Sequence, residues 1–170
     1  FSTGFQLNKI KNNEVLKKNF DIANQLLNGF YSGDLKTSDV FDIDKLAKYF
    51  AIVELTNSQH SSNWHNMRFY YDPFLSKLIP IGFDGINGQA VKLANLSIER
   101  EDFWRSKLFN DKKLTAMYYK NLRRVSEKSY LDNFFKKYKQ EISNNKKILH
   151  KSYPAYELNK DIFYLNQKRI

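Results

Sequence analysis

The chain has no cysteine, and its 170 residues hold only six glycines and three prolines. Without cysteine there is no disulfide, no thiolate metal site and no cysteine nucleophile. That absence does not fix a compartment, because an exported protein without disulfides looks the same. The scarcity of Gly and Pro leaves no linker and no low-complexity tract, so residues 1–170 read as a single domain. No apolar run approaches the roughly 18 residues that a membrane span needs. Phe1-Ser-Thr-Gly is neither a basic nor an apolar leader segment, so no signal peptide is visible. Position 1 is not Met, which leads us to expect a longer precursor whose export or display at the cell surface stays open. Several chemical signatures are missing as well: no G-x-G-x-x-G, no G-K-[ST], no H-E-x-x-H and no G-x-S-x-G occurs.

What is present is an aromatic-rich globular composition, with 14 Phe and 11 Tyr and a hydrophobic fraction of 42%. The charge is uneven. Residues 1–100 carry 11 Lys/Arg against 10 Asp/Glu, whereas residues 101–170 carry 17 against 8, so nearly all of the net +10 sits in the second part. Such a basic region suits an acidic partner, and it also serves simply to keep amphipathic helices soluble. Nucleic acid is the weaker reading. The aromatics near Arg123, Arg124, Lys136, Lys137 and Lys139 fall on the apolar stripe of Met117, Leu122, Leu131, Phe134 and Phe135, where they are expected to be buried rather than stacked on bases.

Apolar spacing predicts a helix over Lys11 to Gly29, ending at Gly29 as its C-cap, and a second from Ile43 to Thr56. Asp42 is the expected N-cap of the second helix, and Leu46, Tyr49, Phe50 and Val53 form its buried stripe. Met67 to Tyr71 and Lys77 to Phe83 then read as two strands joined at Asp72-Pro73, with Pro80 marking the second as an edge or irregular strand. Helices follow at about 102–109, 111–125, 130–149 and 157–168, with Asp111 or Ser129 as caps and Pro154 separating the last two. The fold class is mainly α (α+β), a helical bundle with one central β-hairpin.

The stretch Thr56 to Gln89 carries the chemistry. A hairpin brings its two ends together, so a residue entering the first strand lies near one leaving the second. Asn66 and Asp84 are those residues, an amide and a carboxylate of the kind that ligates Mg²⁺ carrying nucleotide phosphates. Both are also ordinary turn residues, so spacing alone leaves the structural reading standing.

The runs Trp64-His-Asn-Met-Arg-Phe-Tyr-Tyr-Asp-Pro and Lys77-Leu-Ile-Pro-Ile-Gly-Phe-Asp84 resemble the CotH (spore-coat protein H-like) kinase family. Phe41-Asp-Ile-Asp-Lys-Leu-Ala-Lys-Tyr-Phe-Ala-Ile is similar to the helix that precedes the active site there. Glu101-Asp-Phe-Trp, Ser129-Tyr-Leu-Asp-Asn-Phe-Phe and Tyr164-Leu-Asn-Gln-Lys-Arg-Ile are similar to the family's helical tail. The resemblance implies the C-terminal part of an atypical protein-kinase-like domain, a C-lobe without its N-terminal half. It further implies ATP and Mg²⁺ as cofactors of the intact parent, and transfer of the γ-phosphate to a protein Ser or Thr. Asn66 and Asp84 match the family's nucleotide-metal positions.

Two departures stand out. The family places an Asp in the loop before the Asn, but no carboxylate lies between Leu55 and Asp72, and His60 and His65 occupy that loop instead. It also has a second Asp two residues after the first, where this chain has Ile86. Either a histidine replaces the acid, with His60 or His65 as catalytic residue and His60 the expected base, or the chain is a catalytically silent, pseudokinase-type protein-binding module. The isolated chain is expected to be inactive, since it has no phosphate-covering loop and no phosphate-pairing Lys.

Overall fold

The computed structural model describes residues 3–85, 96–100 and 102–170. Among these residues it forms nine α-helices and one two-stranded sheet. After a short α1 (Leu7–Lys11), helix α2 (Glu14–Ser32) starts where Asn13 accepts a hydrogen bond from the Leu16 N–H at 3.0 Å. It does not stop at Gly29. Gly33, with φ 95°, is the left-handed C-cap, and Gly29 stays helical. The extra turn brings Phe30, 1% exposed, into the core. Helix α3 (Thr37–Val40), not foreseen from the apolar pattern, is fastened by the Thr37 hydroxyl donating to the Leu108 carbonyl at 2.9 Å.

Helix α4 (Ile43–Thr56) has the predicted bounds, and the Asp42 carboxylate caps it by accepting from the Lys45 N–H at 3.1 Å. Its stripe of Leu46, Phe50 and Val53 is fully buried, Tyr49 partly so. It packs on α6 (Lys112–Ser126), which contributes Leu114, Tyr118, Leu122 and Val125. Each large apolar side chain sealed at this interface stabilises the fold by about 1.5–3 kcal/mol.

The hairpin pairs β1 (Arg68–Asp72) with β2 (Lys77–Ile81), in the antiparallel register Arg68↔Ile81, Tyr70↔Ile79, Asp72↔Lys77. The Asp72 carboxylate builds the turn by accepting from the Phe74 and Leu75 N–H groups. The second strand ends at Ile81, so Gly82 and Phe83 leave the ladder earlier than the sequence suggests. On the inner face Leu78 is 2% exposed, and the Phe69 ring meets Phe41 and Trp64. The Asp42 N–H donates to the Leu78 carbonyl at 3.0 Å, which hangs the hairpin on the start of α4.

Helix α5 (Phe103–Phe109) follows the expected course, and Asp111 caps α6 by accepting from the Lys113 N–H. The long helix expected over 130–149 is two, α7 (Lys128–Lys137) and α8 (Lys139–Leu149), parted at Tyr138. Ser129 lies inside α7 and is not its cap. On α7 the expected stripe is only partly sealed: Leu131 is buried, Phe135 partly so, and Phe134 is exposed. The last helix, α9 (Asp161–Gln167), begins four residues later than predicted. It acts as a cap for two others. Asn166 donates to the Leu55 carbonyl at the end of α4, and Gln167 donates to the Val125 and Glu127 carbonyls at the end of α6. No helix of the described residues is long and apolar enough to cross a membrane.

Candidate functional site

Between α4 and β1 the chain makes two short 3-10 turns, Gln59–Ser62 and Trp64–Asn66. The first carries His60 at the surface. The second ends in Asn66, which is only 9% exposed. Asp84 sits just past the hairpin with φ 51°, a left-handed conformation that Asp tolerates better than most residues. Its carboxylate lies 3.1 Å from Nε2 of His60. The Asn66 amide Nδ2 donates to the His60 carbonyl at 3.0 Å. The hairpin thus returns Asp84 to the loop ahead of β1, and the three residues meet at His60, one through its ring and one through its backbone.

A carboxylate can only accept, so the neutral imidazole donates Nε2–H to Asp84 and keeps its lone pair on Nδ1. Both side chains are about half exposed, 42% for His60 and 49% for Asp84. The other two histidines stand differently. The His65 ring is exposed and makes no described contact, while its carbonyl accepts from Arg68. His150, just past α8, pairs its Nε2 with the Tyr156 carbonyl. Ile86 lies outside the described residues, as does most of the loop that runs to Gln89. Among the described residues no three His, Asp or Glu gather into a metal-binding cluster.

Beneath the His60 turn lies a polar network that the apolar pattern alone does not single out. Glu54, buried on α4, accepts hydrogen bonds from the Ser97 N–H at 2.7 Å, the Tyr118 hydroxyl at 3.0 Å and the Gln59 side-chain amide at 2.7 Å. Arg105, 4% exposed on α5, pairs with Asp102 and donates through Nη2 to the Ser62 carbonyl and hydroxyl. The Tyr49 hydroxyl donates to the Ser61 carbonyl at 2.8 Å. Burial and then the Glu54 carboxylate push the Tyr118 hydroxyl pKa far up. Burial likewise raises that of Tyr49, against the opposing pull of its Ser61 bond and of the Arg105 charge. Arg100 is lowered by burial and by Arg105, with Glu54 and Asp102 acting the other way. A signal for this network was present in the sequence: Glu54 follows Leu46 and Phe50 at four-residue steps, and Arg105 precedes Leu108 by three, so both charges fall on apolar faces.

The indoles of Trp64 and Trp104 stack with centroids 4.1 Å apart. On another side of the molecule an open groove between α4 and α6 presents Lys48, Lys120, Arg123 and Arg124, with Lys48 already paired to Asp44. Tyr119 reaches this groove and is 45% exposed, whereas its neighbour Tyr118 is sealed in the core. Compared with protein-family models, with curated proteins and with solved structures, the chain has no match.

Proposed function

We propose that this chain is the helical, C-terminal part of an atypical kinase-like phosphotransferase of the CotH type. In the intact parent it would pass the γ-phosphate of ATP to a Ser or Thr hydroxyl of a protein. The observation that carries the reading is the meeting of Asn66, His60 and Asp84 where the hairpin closes. His60 is the general base: its Nδ1 takes the proton of the attacking hydroxyl, while Asp84 fixes the ring and stabilises the imidazolium that forms. His65 is the alternative base for the same step, though among the described residues no carboxylate pairs with it.

The donor set suits a nucleotide-bound Mg²⁺ in part. Asp84 pairs with His60 through Oδ2 and Asn66 spends its Nδ2 on the His60 carbonyl, and among the described residues neither Oδ1 is engaged. Two hard oxygens fit an ion that takes its remaining ligands from phosphates and water, and that ion supplies charge neutralisation at the phosphates when bound. An acidic segment of the protein partner would dock along Lys120, Arg123 and Arg124 of α6, in the groove that Asp44 and Glu127 also line.

The test is phosphoryl transfer from labelled ATP by the intact parent, beside Asp84→Ala and His60→Ala. Both variants should fall by about 10²-fold or more, the typical share of a general base. Equal labelling by wild type and Asp84→Ala removes Asp84 from the mechanism. The competing reading is a silent, pseudokinase-type binding module, favoured by the near-complete burial of Asn66 and by the lack of any carboxylate between Leu55 and Asp72. Mg²⁺-dependent turnover of ATP by the parent counts against it.

A further inference from the structure

Four consecutive residues of the His60 turn are each held by a side chain from outside the turn. Gln59 is held by Glu54 at 2.7 Å, the His60 carbonyl by Asn66 at 3.0 Å, the Ser61 carbonyl by Tyr49 at 2.8 Å, and the Ser62 hydroxyl by Arg105 at 2.6 Å. The two outermost grips come from Glu54 and Arg105, buried charges of a kind seldom sealed inside a protein. Replacing a buried ionic group by apolar residues is often neutral or favourable, and among the described residues Arg105 Nε and Gln59 Oε1 are buried without partners. What these bonds hold directly is the turn that carries the half-exposed His60 ring.

We infer that Glu54 and Arg105 are positioning residues that clamp the Gln59–Ser62 turn at its two ends, so that the His60 ring stays aligned on Asp84. Arg105 brings a planar fork, which fixes direction as well as distance where a lysine ammonium would fix only distance. Glu54 joins the turn to Ser97 and to Tyr118 of α6, so the alignment of His60 is tied to the core packing of α4 on α6. The catalytic consequence rests on the reading of His60 as base; the clamp itself does not.

The chain has three histidines, so the Cε1–H relaxation of His60 can be followed with His65 and His150 as internal references. In the wild type the His60 ring should be ordered, with an order parameter of about 0.8 against about 0.5 for the exposed His65 ring. Arg105→Lys, Gln59→Ala and Tyr49→Phe should each move His60 toward the His65 value and leave His150 unchanged. If Arg105→Lys fails to fold, Gln59→Ala, which deletes only the Glu54 grip, still decides the matter. A His60 ring as mobile as His65 in the wild type overturns the inference, and so does a ring unchanged in every folded variant. In the intact parent, Gln59→Ala should lower kcat at least tenfold with KM unchanged; a loss confined to KM overturns the positioning role. If the wild-type parent transfers no phosphate while the ring behaves as expected, the clamp stands and the kinase reading falls.

Discussion

Tyr118→Phe isolates one hydrogen bond of the buried network. The ring is fully buried between α4 and α6, and its hydroxyl donates to Glu54 Oε1 at 3.0 Å. The substitution keeps ring volume and removes only that hydroxyl, so no apolar contact is lost. A hydrogen bond to an ionised group contributes about 1.5–3 kcal/mol. Glu54 keeps two other donors, Ser97 and Gln59, which places the loss near the lower end, at about 2 kcal/mol. For a domain of this size that lowers Tm by about 4–8 °C. The stacked Trp64–Trp104 pair is the probe: urea unfolding followed by tryptophan fluorescence gives the change in midpoint at constant slope. Tyr119→Phe, at an exposed neighbouring position, is the control and should stay within about 0.5 kcal/mol. The pH dependence has a definite sign. Burial and Glu54 raise the Tyr118 pKa above its unfolded value of about 10, so its stability contribution is complete below that pH and is lost as pH rises beyond it. Tyr118→Phe should therefore flatten the alkaline decline. Equal stabilities for the Tyr118 and Tyr119 variants would refute the reasoning, because they would mean that Glu54 does not depend on this donor.

Two further outcomes follow from the packing. Asp111 accepts from the Ser38 N–H at 2.8 Å and caps α6; burial acts to raise its pKa, but these hydrogen bonds outweigh it and hold the carboxyl low. Its contribution is thus present above the unfolded pKa of about 3.9 and lost as pH falls through the lower folded value, so Asp111→Asn should reduce the acid dependence of stability in urea titrations between pH 5 and about 2. Gly29→Ala pits helix propensity against space. Alanine gains up to about 1 kcal/mol in a helix, but the new Cβ would lie 2.7 Å from Leu35 Cδ1 and 2.9 Å from its Cγ. The Leu35 N–H is bonded to the Gly29 carbonyl at 3.0 Å, which keeps that side chain from retreating. Net destabilisation of up to about 2 kcal/mol in thermal unfolding is expected, and a stabilised variant would show that Leu35 moves freely.

Sequence by itself determined the elements whose cause is local. Asp42 and the stripe of Leu46, Phe50 and Val53 specify α4 to the residue, because capping and helical period both act within one segment. Asp72-Pro73 and the flanking β-formers specify the hairpin, and a hairpin by its nature returns Asp84 to the loop before β1. The end of α2, the break at Tyr138 and the late start of α9 were decided elsewhere. Phe30 draws α2 past Gly29 into the core, and Asn166 and Gln167 of α9 find their partners only where α4 and α6 end side by side. The same holds for the site. The types His60, Asn66 and Asp84 were legible, but their pairing through His60, in place of a bare amide and carboxylate side by side, depends on where the turn is held. Arg105 grips the turn from 43 residues beyond Ser62, and Glu54, which grips it locally through Gln59, is itself tied to Ser97 43 residues on and to Tyr118 64 residues on. The helical period shows that Glu54 and Arg105 lie on apolar faces but not which partners they meet across such separations; the packing of α4 and of α5 on α6 brings those ends within reach.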